Sequence, residues 1–125
     1  MKHTLSINED GLLFTVKTEG DGDVMGIIAF LDDIIAHPRW KPGRSILLDH
    51  RDLKIDQITT SGIKKVSDYF KSIGNELGTG KIALVMKREI DFGIARAWEI
   101  LTDSDVDIRI HVFRRIEEAV DWLRQ

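Results

Sequence analysis

Hydrophobic positions along the chain change period several times, and each change marks an element. Leu5 to Ile7 and Leu12 to Thr18 are short extended runs joined by Asn8-Glu9-Asp10-Gly11. Asn, Asp and Gly supply the positive-φ positions of a tight turn, so the opening predicts a β-hairpin. In its second run Phe14, Val16 and Thr18 alternate with Leu13, Thr15 and Lys17, which predicts one face buried more deeply than the other. Gly20 to Asp23 is a turn, with Asp23 suited to cap a helix from Val24 to about Ala36. Val24, Ile27, Ile28, Leu31, Ile34 and Ile35 form its apolar stripe. Pro38 forces the preceding residue out of helical geometry and stops the helix near His37.

The stretch from Ser45 to Ile63 organises the rest. Ile46-Leu47-Leu48 reads as a strand buried on both faces, Asp49-His50-Arg51-Asp52 as its charged exit, and Thr59-Thr60-Ser61-Gly62 as a helix start. The helix is predicted over about 60–77, with Ile63, Val66, Phe70, Ile73 and Leu77 on one face and Gly78 at its left-handed end. Ile82 to Met86 is a second strand apolar on both faces. Asp91 is placed to cap a helix over 92–102 with Ile94, Ala97, Trp98 and Leu101 inward. Ile108 to Phe113 alternates as a half-exposed strand, with Arg109, His111 and Phe113 opposite Ile108, Ile110 and Val112. A last helix is expected over about 116–124, with Ala119, Val120 and Leu123 buried and Glu117-Glu118 in its first turn. The order is β-β-α-β-α-β-α-β-α, which predicts one α/β domain over residues 1–125: a hairpin, then βα units in a mostly parallel central sheet.

Composition narrows the function classes. At 125 residues, 42% hydrophobic and 31% charged, the chain reads as one ordinary globular domain. It has no cysteine, which excludes disulfides, thiolate chemistry and zinc–sulfur sites. A net charge of −3 argues against a general nucleic-acid binder. No apolar run approaches a membrane span and the N-terminus lacks a secretory h-region, so a cytoplasmic location is expected. The four histidines are dispersed, which predicts no metal site, and no cofactor loop is present.

The succession of elements resembles the SpoIIAA-like superfamily, the STAS-type fold of bacterial anti-sigma-factor antagonists. It looks closest to small uncharacterised bacterial relatives sharing His37-Pro38-Arg39-Trp40-Lys41-Pro42-Gly43, Leu47-Leu48-Asp49-His50-Arg51-Asp52 and Phe92-Gly93-Ile94-Ala95-Arg96. In the antagonists a phosphoacceptor serine lies in an Asp-Ser-Ser/Thr-Gly-aliphatic motif where strand gives way to helix. The resemblance implies Thr60 as the matching phosphoacceptor, with Thr59 standing where the motif has Asp and Ser61, Gly62 and Ile63 following. The simpler expectation is that Thr59 or Thr60 caps the helix through its hydroxyl.

Two motifs mislead. His50-Arg51-Asp52 and Asp91-Phe92-Gly93 spell fragments of a protein kinase, but no Gly-rich loop precedes them and position 57 is Gln. Gly78-Thr79-Gly80-Lys81 is half a P-loop that runs into a strand instead of a helix. The topological expectation is stronger, because parallel strands end on one side of a sheet. That predicts Asp49, His50, Arg51 and Asp52 near Lys87, Arg88, Arg114 and Arg115, with the amides of Thr60, Ser61 and Gly62 pointing at the same rim. Cations and free N–H groups there would suit an anionic small ligand or an acidic segment of a protein partner. The expected function is therefore a small non-enzymatic regulatory or binding module. Two alternatives stand beside it: an enzyme using Asp49, His50 and Asp52 on a phosphorylated or acyl substrate, and a structural domain that forms a homodimer through a sheet face.

Overall fold

The computed structural model describes all residues from 1 to 125. Five strands form one sheet in the order β1-β2-β3-β4-β5, which is also their order along the chain. They are β1 (Lys2–Ile7), β2 (Leu13–Asp21), β3 (Ser45–Lys54), β4 (Lys81–Val85) and β5 (Arg109–Phe113). The first pair is the expected antiparallel hairpin, and every later pair is parallel. Connections of one hand that always step to the next strand place their helices on the same face. Helices α1 (Val24–Ile35), α2 (Thr60–Ser72) and α4 (Glu89–Thr102) accordingly share a core with Phe14, Val16, Ile46, Leu48, Ile82 and Leu84. The last helix, α5 (Ile116–Leu123), lies on the other face, where Ala119 packs with Leu47, Ala83, Val85 and Phe113. Toward β1 and β2 this second face carries the exposed polar residues Lys2, Thr4, Ser6 and Lys17.

Several boundaries moved for physical reasons. The predicted helix over 60–77 is broken: α2 ends at Ser72 and a short α3 (Gly74–Leu77) follows. Ile73 leaves helical geometry at φ −101°, ψ 16°, beside Gly74, a poor helix former. The break still delivers Leu77 to full burial. Helix α4 starts at Glu89, so Asp91 lies inside its first turn and is not the cap. Ala97 and Leu101 are exposed, and the inward positions are Asp91, Ala95, Trp98 and Thr102. Phe113, expected on the exposed side of its strand, is buried under α5.

The largest correction concerns the charged exit. Asp49-His50-Arg51-Asp52 is not a turn but the second half of the ten-residue strand β3. It pairs with the nine-residue β2, Lys17 opposite Asp49 and Glu19 opposite Asp52, with a register shift between Lys17 and Glu19. Inside a strand, neighbours point to opposite faces. Asp49 and His50, adjacent in sequence, are therefore separated by the sheet.

Candidate functional site

Asp49 projects from β3 to the α5 side and is 5% exposed. Arg51, two residues on and therefore on the same side, grips it with Nε at 2.8 Å from Oδ1 and Nη2 at 2.9 Å from Oδ2. Lys17 reaches the same carboxylate at 3.6 Å and Asp52 at 3.4 Å. The Arg51 hydrogen bonds hold the Asp49 carboxyl below the usual carboxylate range, against the opposing effect of burial.

A second cluster lies where β4 enters α4. The Asp91 carboxylate is 1% exposed and accepts from the Ile55 N–H at 2.9 Å. Arg88 donates to it through Nε at 2.6 Å, and to Asp56 through Nη2 at 2.8 Å. These bonds raise the Arg88 pKa further and pin the β3–α2 connection, residues 55–59, to the start of α4. Arg114 is occupied by Glu89 at 2.8 Å and lies over the Phe92 ring at 3.7 Å, and Arg115 faces Glu117 at 3.8 Å. The residues expected on one rim thus fall into separate ion-paired groups. Arg51 and Arg88 have no carboxylate in common, and among these cations only Lys87 is exposed without an ion pair.

At the start of α2 the cap is Thr59, whose Oγ1 accepts from the Gly62 N–H at 3.0 Å. Thr60, the alternative cap, is instead the first helical residue, exposed like Ser61. The Gly62 amide is consumed by the cap and so is not free for a ligand. Gly62 has a packing role as well, since a Cβ there would meet Ile58 Cγ2 at 2.8 Å and Val24 Cγ2 at 3.0 Å. Asp91-Phe92-Gly93 lies inside α4. No group of His, Asp and Glu side chains is placed to hold a metal ion.

His50 points the other way, into the core between the sheet and the three helices. It lines a cavity of about 50 Å³ with Phe30, Leu53, Ile63, Phe70, Met86 and Trp98, and 15 of the 16 lining residues are hydrophobic. Ile27, Ile58, Ile63 and Ile94 are half-buried and bound it toward solvent. The Thr18 hydroxyl sits 2.6 Å from His50 Nδ1 and donates to the Asp49 carbonyl at 3.3 Å. The hydroxyl therefore occupies Nδ1 and leaves Nε2 as the ring nitrogen on the cavity side. Burial lowers the His50 pKa to about 4, with Asp49 pulling weakly the other way, so the ring is neutral. Trp98, also on the cavity wall, has a buried Nε1–H with no acceptor. The expected general base oriented by Asp49 or Asp52 is therefore absent: Nδ1 is held by a threonine, and Asp49 lies across the sheet.

Thr18 and Trp98 were not among the expected site residues. For Thr18 and His50 a signal existed. Counting by two from Phe14 and Val16 reaches Thr18, and from Ile46 and Leu48 reaches His50. Trp98 had none beyond its place on the inward stripe.

No family model matches the chain, and no curated protein matches it. Among solved structures it is similar to an uncharacterized protein of the DUF3478 family with a SpoIIAA-like fold from Shewanella loihica PV-4. The similarity has a TM-score of 0.61 and covers 98% of this chain and 92% of that one. The fold is SpoIIAA-like. An identity of 17% carries the path of the backbone and nothing about its chemistry. In this SpoIIAA-like domain no helix is long and apolar enough to cross a membrane.

Proposed function

We propose that the protein is a non-enzymatic binding module whose ligand is a small, mainly apolar molecule carrying one hydroxyl or similar polar group, taken up between the sheet and helices α1, α2 and α4. One observation carries this reading: a void in an apolar core is bordered by the Trp98 Nε1–H, a buried donor without an acceptor, and by the imidazole of His50, the one polar residue of its lining. Protein interiors leave few voids, and buried polar groups are almost always paired. At about 50 Å³ the cavity is smaller than the roughly 150 Å³ that accommodates benzene. Entry of anything larger than a few atoms requires the half-buried Ile27, Ile58, Ile63 and Ile94 side chains to move aside.

Titration with hexanol tests the reading. The chain has three tryptophans, so the Trp98 indole N–H is one of three readily assigned NMR signals. Binding should shift it selectively and raise the melting temperature, because a ligand that binds only the folded state stabilises it. Ala95→Leu, which fills the cavity, should abolish both effects. An unmoved Trp98 signal at saturating hexanol would refute the reading.

A second reading keeps an acidic protein partner at the C-terminal edge of the strands. It is favoured by Lys87, which follows β4 directly and stands exposed and unpaired. Lys87→Glu should then weaken partner capture while leaving the hexanol response intact.

A further inference from the structure

At the opposite end of the sheet, the connection from α1 to β3 carries Arg39, Lys41 and Arg44. None of the three has a carboxylate within 4.0 Å, whereas Lys17, Arg51, Lys71, Arg88 and Arg114 all do. Arg39 Nη2 donates to the Glu9 carbonyl at 3.2 Å, and Arg44 Nη1 to the Gly11 carbonyl at 2.7 Å. Both guanidinium groups thus reach the same hairpin turn. A Cβ on Gly11 would stand 2.8 Å from Arg39 Nη2 and 3.5 Å from Arg44 Nη1, so the two forks are neighbours. The Arg44 Nε is buried and has no acceptor. Beside them an open recess of about 440 Å³ is lined by Leu12, Lys41, Pro42, Gly43, Arg44 and Ser45.

The loop that carries these cations is fixed. Trp40 is buried edge-on against Phe14 at 5.1 Å, and its Nε1–H donates to the Glu76 carbonyl at 2.8 Å. The Gly43 N–H bonds the Leu77 carbonyl at 3.0 Å, and the Ser45 N–H bonds the Leu12 carbonyl at 3.0 Å. Backbone meets backbone where a Cβ on Gly80 would lie 2.5 Å from the Gly43 carbonyl oxygen.

We propose that this recess binds the phosphate group of a small molecule through Lys41 and Arg44, which line it, and Arg39, whose guanidinium stands beside that of Arg44 at Gly11. Two neighbouring guanidinium groups without a paired carboxylate repel each other, the Glu9 and Asp10 carboxylates of the same turn lying beyond 4.0 Å, and a dianion between them reverses the sign of that interaction. Each arginine spends one N–H on a carbonyl and keeps others in the planar fork that matches phosphate oxygens, while lysine adds a mobile point charge. Three cations suit a doubly charged phosphate better than a carboxylate. Because the loop is already ordered, binding does not have to order it. The recess falls in the size range of small-molecule pockets. It shares no residue with the apolar cavity, so the two sites stand or fall separately.

The test is a 1H–15N NMR titration of the full chain with inorganic phosphate, with sodium chloride and sodium acetate at equal ionic strength as the other arms. Saturable shifts are expected at Leu12, Gly43, Arg44 and Ser45 with phosphate, at least tenfold weaker affinity for acetate, and no saturation with chloride. Arg39→Gln and Lys41→Gln should each weaken phosphate binding several-fold with the rest of the spectrum unchanged. The Lys41 side chain is exposed and makes no hydrogen bond, so its variant keeps the fold even if an arginine variant does not. Equal responses to the three salts, shifts that map elsewhere, or unaltered binding in Lys41→Gln would overturn the proposal.

Discussion

Thr18 and His50, on adjacent parallel strands, meet through a 2.6 Å contact between Oγ1 and Nδ1, fully inside the core. This contact occupies Nδ1 and leaves Nε2 as the ring nitrogen on the cavity side. Thr18→Val keeps the shape and removes the partner, so the buried Nδ1 is left unpaired. The expected cost is about 1–3 kcal/mol, read from urea unfolding at pH 7. A cost near zero would mean that the hydroxyl does not hold the ring.

Acid should unfold the protein partly through His50. The folded ring takes a proton only near pH 4, whereas the unfolded chain takes it near 6.5. The unfolded state therefore binds more protons between those values, and stability falls as pH drops from 6.5 toward 4. The depression is equivalent to about 3 kcal/mol, fully lost only at the lower end of that window. Asp49, whose pKa is lowered, adds a further loss that begins below its ordinary value of 3.8. Unfolding free energies at several pH values, with the His50 imidazole followed by NMR, would check this. Stability that stays flat from pH 6.5 to 4.5 would contradict it.

The two threonines at the start of α2 should behave differently. Thr59→Ala removes the oxygen that accepts from Gly62 and should cost about 1 kcal/mol. Thr60→Ala removes an exposed hydroxyl outside the cap and should stay within about 0.5 kcal/mol of the parent. Paired chemical denaturation curves distinguish them, and a larger loss at Thr60 would transfer the cap to that residue.

Asp91 is a buried carboxylate that the fold uses as a bracket. Asp91→Ala strips the Ile55 N–H of its acceptor and Arg88 of its inner partner. A loss of about 1–3 kcal/mol is expected for the unpaired amide. Asp91→Asn keeps a carbonyl oxygen for Ile55 and should lose less. Hydrogen exchange at Ile55 should accelerate in the alanine variant before global unfolding. Unchanged exchange there would show that the bracket is not what holds the loop.

Two glycines give opposite expectations. Gly78 has φ 79° and ψ −148°, a region open only to glycine, and a Cβ there would stand 2.5 Å from the Gly43 nitrogen. Gly78→Ala should therefore cost at least about 1–3 kcal/mol from the backbone alone. Gly93 lies within α4, with nothing within 4 Å of its missing Cβ. Gly93→Ala should stabilise by about 0.5–1 kcal/mol. Melting temperatures that move in the same direction for both variants would contradict this pairing.

The sequence alone determined the order of strands and helices, and hence the SpoIIAA-like succession of a hairpin followed by βα units. Periodicity can do this because it records how each segment meets water over a few residues. Ile82 to Val85 is apolar at every position since helices cover both faces of β4, and Asp23 marks the start of α1 since its carboxylate accepts one of the free N–H groups of the first turn, that of Gly26. Which charges meet was decided only by the tertiary structure. Asp49-His50-Arg51-Asp52 looked like a strand end because polar residues normally signal exposure. Continued pairing of β2 with β3 carried the strand through them and turned Asp49 toward Arg51 and His50 toward Trp98. Arg88 was drawn to Asp56 and Asp91, 32 and 3 residues away, by a fold that no local pattern encodes. Ion pairs and cavities depend on register and on distances between distant segments, and those exist only once the chain has closed.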